Sequence, residues 1–241
     1  MTLAATPLAA TPLVAARVVE AHDETAALRN LRLALPEGAA RAHRRPGQVV
    51  KLQAPAGEAY VAVASAPSAA GTIDLLLKRG GPVADAVIAA GTPGATLRVS
   101  APFGRGFPVE EAHGRDVLLF AAGSGIAPIR ALVQHIVAHR PSFGLVTLFY
   151  GQRHGSDFAY CAEHGAWEAG GVHVVLCPSQ ADEAWTGVRG RVQEVARSLA
   201  FGGATPESSV AFLCGMTAMV DDVRATLSRA GIAPERVHVN F

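Results

Sequence analysis

Residues Val117 to Leu132 read VLLFAAGSGIAPIRAL, an apolar strand running into a Gly-Ser-Gly turn and then a helix that opens with Pro128. Glycines at such a turn let a phosphate approach the backbone and rest on the free N–H groups and positive dipole end of the following helix. Proline in the first helical turn costs nothing, because its N–H would have no intrahelical partner there. The stretch departs from the dinucleotide fingerprint G-x-G-x-x-G, whose third glycine is replaced by Pro128. Gly-rich turns of this kind also occur in α/β domains that bind nothing, so a second element is needed to give the turn a function.

That element is VAFLCGMTAM, Val210 to Met219, where another apolar run ends at Cys214-Gly215 and leads into a helical pattern with Met219, Val223 and Leu227 on one face. Ligands of open parallel sheets bind at the carboxyl ends of the strands, so the two Gly turns would flank one crevice. Cys214 then either looks into that crevice or is a buried thiol, the usual fate of a lone Cys.

Composition narrows the classes. The 241 residues are 50% hydrophobic and 17% charged, with a formal net charge of +1. That is enough for one large or two modest cores, and it gives no sign of a nucleic-acid or anionic-membrane partner. Gly, Pro or a charge interrupts every apolar run short of the ~20 residues of a membrane span. The opening MTLAATPLAATPL has no basic start before an apolar core, so it reads as a loose arm and the protein as cytoplasmic. Cys161, Cys177 and Cys214 form no C-x-x-C pair and the His residues are scattered, so no metal site is expected. Three thiols cannot hold a [2Fe–2S] cluster, and any iron–sulfur partner must be a separate chain.

Up to about residue 112 the pattern is β-rich. Short runs at Val14–His22, Ala27–Leu35, Gln48–Ala54, Val61–Ser65, Thr72–Lys78 and Thr96–Pro102, with one helical stretch near Val83–Ala90, predict a small antiparallel barrel. From about His113 strand and helix alternate, predicting an α/β domain with a parallel sheet. The chain thus divides into a domain of residues 1–112 and one of residues 113–241.

The ordered set GSGIAPIRAL, LFYGQRH (Leu148–His154), PSQADEAWTGVRGRV (Pro178–Val192), FLCGMTAM and the terminal HVNF resembles the ferredoxin–NADP reductase superfamily. Within it the chain is most similar to the small FAD/NAD(P)-binding oxidoreductases of plants and bacteria. The resemblance implies an N-terminal flavin-binding β-barrel, an NAD(P)-binding α/β domain, and hydride transfer from nicotinamide C4 to flavin N5 with electrons passed to a separate protein or small-molecule acceptor.

On the nicotinamide side it implies that Gly123, Ser124, Gly125 and Pro128 form the pyrophosphate turn. Gly151 and Gln152 lie on the neighbouring strand end, and Cys214, Gly215 and Met216 stand beside the nicotinamide. NADPH-specific relatives carry a Ser-Arg pair after the next strand, where this chain has Ser179-Gln180 followed by Asp182 and Glu183. Two acids near the 2′ position would repel a phosphate, so NADH is favoured. Trp185 either packs beside the adenosine ribose or anchors its loop. Cys214 and Phe241 are the catalytic candidates, Phe241 as the terminal aromatic on the flavin or else as a frayed tail residue.

The flavin side departs from the superfamily. Aligned through ASAP, Ala64 to Pro67, the Arg-x-Tyr-Ser motif falls on Ala59, Val61 and Ala62, so its cation, ring and hydroxyl are all missing. The Ser or Thr of the phosphate turn falls on Ala84. The remaining flavin candidates are the backbone of Val61, Ala62, Val63, Ala64 and Ser65, the Gly80-Gly81 turn with Val83 and Ala84, and Lys78 as a charge. Each lost charge-assisted contact costs about 1.5 to 3 kcal/mol, which weakens a tight FAD site without abolishing it. The alternative is a regulatory or interaction subunit that binds nucleotide with a degenerate, flavin-free barrel. Arg105 in PFGRGF would meet a cofactor phosphate, an acidic partner or solvent.

Overall fold

The computed structural model describes residues 12–240. The arm expected at the start of the chain and the aromatic Phe241 lie outside the described residues.

Six strands build the first sheet: β1 (Leu13–Asp23), β2 (Leu28–Ala34), β3 (Val49–Ala54), β4 (Gly57–Ala62), β5 (Thr72–Lys78) and β6 (Thr96–Ser100). Their order is β4-β3-β6-β1-β2-β5, antiparallel throughout. A bridge between Val63 and Leu75 brings the two outer strands together, so the sheet curls into a barrel. Alternate residues fill it, among them Val18, Leu31, Leu33, Val50, Leu52, Leu75 and Val99. The short helix α1 (Glu37–Ala40) follows β2, and α2 (Pro82–Ala90) puts Val87 against the same core. One strand lies earlier than its composition suggests: β4 ends at Ala62, and Val63 and Ala64 continue as its connection to β5.

The second sheet is parallel, in the order β11-β10-β7-β8-β9. Its strands are β7 (Asp116–Ala122), β8 (Val146–Gln152), β9 (His173–Pro178), β10 (Ser209–Cys214) and β11 (Val237–Val239). The helices α3 (Ile126–Ala138), α4 (Cys161–Ala169), α5 (Val192–Ser198) and α6 (Thr217–Arg229) cover both faces. The run VLLFA is apolar throughout because both of its faces are buried. Leu119 and Ala121 share a core with Ile126, Ile129 and Trp167, whereas Leu118 and Phe120 share one with Val195, Val223 and Leu227. A β-barrel joined to an α/β domain is the architecture expected from the sequence.

A buried polar junction joins the halves. Arg130 of α3 donates Nη1 to the Ala64 carbonyl at 2.7 Å and to Asp74 Oδ2 at 3.0 Å, and its other nitrogens reach Glu163. Its guanidinium lies 4.4 Å from the centre of the Tyr160 ring. Tyr160, held at φ +61°, donates its N–H to Glu24 and its hydroxyl to Asn30, both on the barrel. No helix among the described residues is long and apolar enough to cross a membrane.

Candidate functional site

The parallel sheet brings four predicted segments to one edge. Cys214 of β10 is level with Ala121, Ala122 with Gly151, and Gln152 with Pro178. The Gly123–Gly125 turn, Gly151-Gln152, Ser179-Gln180 and Cys214–Met216 are therefore neighbouring strand ends, where an open parallel sheet binds its ligand.

Gly123 and Gly125 have different reasons to be glycine. Gly123 has φ +59° and faces open space, whereas a Cβ on Gly125 would overlap the Cys214 carbonyl. The two strand ends thus meet backbone to backbone. No side chain caps the Gly123–Gly125 turn or the start of α3, which leaves its first N–H groups for an anionic ligand. This glycine cradle fits a dinucleotide pyrophosphate. Pro128 is the third residue of α3 and is buried, so the helix begins two residues earlier than the sequence suggests.

Gln152 turns its amide onto the Tyr150 hydroxyl at 2.8 Å. That hydroxyl also receives the Ala159 N–H at 3.2 Å and reaches the Gly123 carbonyl at 3.4 Å. Burial pushes the Tyr150 phenol well up, so it stays protonated and able to donate. Burial likewise pushes the Cys214 thiol up to about 12, which makes Cys214 a neutral thiol beside the turn. Met216 is 71% exposed at the start of α6.

Trp185 anchors its loop. It stacks on Phe158 at 5.8 Å, its indole N–H donates to the Val188 carbonyl at 2.9 Å, and Gly155 and Gly187 pack against its ring. Arg189 reaches the carbonyls of Asp182, Glu183 and Trp185 and closes the same loop on itself. The side chains of Asp182 and Glu183 stay exposed.

The flavin-side candidates look different from their sequence reading. Ala59 is opposite Leu52 and Val61 opposite Val50, and both partners are buried in the barrel, so these motif positions face inward. Val61 and Val83 pack against the barrel core. The Val63 N–H goes to the Gln48 carbonyl and the Ala64 N–H to the Asp74 carbonyl, while the Ser65 hydroxyl accepts the Asp74 N–H. The Val63 and Ala64 N–H groups and the Ala64 carbonyl are thus already paired within the protein. Gly80 and Gly81 face open space, with the Gly80 N–H donating to the Asp85 carboxylate at 3.0 Å. The Asp85 carboxylate thus already occupies one N–H of that turn, and Ala84 follows it. Lys78 is exposed at the end of β5.

Two features escaped sequence reasoning. Tyr60, between the two inward positions, is 58% exposed on the outer face of β4. A cavity of about 690 Å³ opens where β11 meets the barrel, lined by Arg44, Arg45, Gln48, Arg105, Phe107 and Val239 among others. Both depend on strand register and domain packing, which spacing alone does not reveal.

The family model "Oxidoreductase NAD-binding domain" matches residues 119–225. The gamma subunit of sulfhydrogenase 1 from Pyrococcus furiosus is 32% identical over 223 residues, 90% of this chain and 75% of that protein. The chain belongs to the ferredoxin–NADP reductase-like superfamily. Another member, the ferredoxin–NAD(+) reductase component of the alkene monooxygenase system of Xanthobacter autotrophicus, is 30% identical over 89% of this chain and 66% of its own length. In fold the chain is similar to a ferredoxin NADP+ reductase from Neisseria gonorrhoeae solved with FAD and NADP, with a TM-score of 0.80 at 21% identity. That match covers 95% of this chain and 99% of the other. The chain is a ferredoxin reductase-type oxidoreductase.

Proposed function

We propose that the protein is an NADH-dependent flavoprotein reductase that delivers electrons to a separate acceptor. The observation that carries this reading is the glycine cradle: Gly123–Gly125 and Cys214–Gly215 meet at two adjacent strand ends, beside the seam with a barrel of flavin-binding type. Bound FAD would supply the hydride acceptor and the means of passing electrons on singly or in pairs.

The protein's own part is to hold, orient and exclude water. The uncapped N–H groups at Gly123–Gly125 hold the nucleotide pyrophosphate. Ser179 and Gln180 border the adenosine end, and the exposed Asp182 and Glu183 disfavour a 2′-phosphate. Arg189, the nearest cation in that loop, is tied to three carbonyls. Cys214 and Met216 border the nicotinamide end. Arg44, Arg45 and Arg105, on the cavity next to Val239, give an acidic acceptor a place to approach.

The test is anaerobic reduction of the FAD-loaded protein by NADH and by NADPH in turn. The proposal expects the flavin to be reduced with a higher kcat/KM for NADH. A preference for NADPH would overturn the cofactor assignment, and no reduction by either would overturn the reductase reading.

A further inference from the structure

The barrel interior is filled by packed side chains, so only outward-facing groups can touch a bound cofactor. Register decides which groups those are. Val50 is opposite Val61 and points inward with it, whereas Lys51 is opposite Tyr60 and Val49 opposite Ala62, on the other face. Tyr60 is 58% exposed and has one aromatic neighbour, the edge of Phe103 at 6.1 Å. Beside it, Lys51 Nζ lies 3.1 Å from the Glu58 carboxylate. The antiparallel bridge Val63 to Leu75 carries β5 back along β4, so the Gly80-Gly81 turn after β5 returns to the level of the start of β4. Val83, which follows that turn, meets the inward side of Gly57, the first residue of β4, and packs against the barrel core. Register therefore puts a flat ring and a cation on the outer face of the barrel, level with an amide turn, within a motif that has lost all three side-chain functions by alignment.

We propose that Tyr60 and Lys51 replace the missing ring and cation, Tyr60 stacking on the isoalloxazine and Lys51 pairing with the pyrophosphate at the Gly80-Gly81 turn. This rests on the flavin reading given above and deepens it. The ring is offered one residue before the aligned position, from the face that can reach a ligand, and the charge comes from the neighbouring strand. Two carboxylates compete with the pyrophosphate: Glu58 on Lys51, and Asp85 on the Gly80 N–H. The site therefore binds FAD more weakly than its ring and cation alone would give.

The test is FAD titration of the full chain by flavin fluorescence, with circular dichroism to verify folding of each variant. Tyr60→Ala should weaken binding by about tenfold and leave the bound flavin brighter, because a stacked phenol contributes roughly that factor and quenches the ring. Tyr60→Phe keeps the ring and should stay within about twofold of the parent. Lys51→Met should weaken binding by about tenfold and flatten its dependence on ionic strength. Glu58→Gln should tighten it. A Tyr60→Ala protein with the parent dissociation constant, or a Tyr60→Phe protein as weak as Tyr60→Ala, overturns the proposal. A Val61→Tyr protein with strengthened binding overturns it too, since it would show the aligned position facing the flavin. A parent protein that binds no FAD overturns the flavin reading itself, and this assignment with it.

Discussion

Arg130 and Ala64 are joined by a 2.7 Å hydrogen bond from a buried guanidinium to a backbone carbonyl. One residue lies in the second turn of the helix that follows the Gly123–Gly125 turn, and the other follows barrel strand β4. The same guanidinium meets Asp74 Oδ2 and Glu163, and Arg32 on the barrel holds both Asp74 oxygens, Oδ1 at 2.8 Å and Oδ2 at 3.3 Å. An alternating chain of charges thus crosses the domain seam. Such pairs contribute more to a unique geometry than to net stability, and breaking one is expensive because it strands a buried charge.

Arg130→Met should therefore destabilise the protein by about 3 to 5 kcal/mol. Hydride transfer depends on the relative placement of the two halves, so flavin reduction should slow while NADH affinity stays close to the parent. Urea unfolding and stopped-flow reduction check the two parts. A stability loss under about 1 kcal/mol would place the seam's strength elsewhere.

Gly125→Ala should weaken NADH binding by at least about tenfold, because the added methyl meets the Cys214 backbone, which cannot turn aside as a side chain would. Gly123→Ala meets no neighbour and pays only for its positive φ, about 1 to 2 kcal/mol of strain. Isothermal titration with NAD+ separates them, and equal effects would mean that the contact between the strand ends is unimportant.

Cys214→Ala should slow flavin reduction by NADH without changing flavin content. Burial holds the thiol at about 12, so the reduction rate should show no thiolate titration between about pH 6 and 9. Unchanged kinetics in the variant would remove Cys214 from the mechanism.

His43 gives the fold a pH dependence of its own. Burial lowers its pKa from 6.5 to about 4, so as pH falls through this window the unfolded chain binds a proton that the folded chain refuses. The stabilisation present above pH 6.5 is lost progressively, by about 3 kcal/mol near pH 4. His43→Gln cannot take up that proton and should flatten this part of the stability curve, as chemical denaturation at a series of pH values would show.

Much of this was legible in the sequence because it is written in local patterns. The strand Thr72–Lys78 ends where its periodicity says it ends, and the Gly turns at 123–125 and 215 mark strand ends that meet at one edge of the parallel sheet. What could not be read locally was the face each residue takes in the barrel. The alignment through ASAP counted Val61 toward the flavin, but pairing with Val50 turns it inward and leaves Tyr60 outside. Nor does spacing show that Arg130 would cross the seam, since its partners Ala64, Asp74 and Glu163 are far along the chain. The packing of Trp185 on Phe158 and Gly155 is likewise set by the fold and not by spacing.

The central claim is that this barrel and this glycine cradle work together on one flavin. The most direct test is the visible absorption spectrum of the purified chain after FAD is added and the excess removed, followed by anaerobic addition of NADH. The account predicts retained flavin bands that bleach when NADH is added. A protein that keeps no flavin, or keeps it and leaves it oxidised with NADH, would contradict the account and favour a nucleotide-binding subunit with a flavin-free barrel.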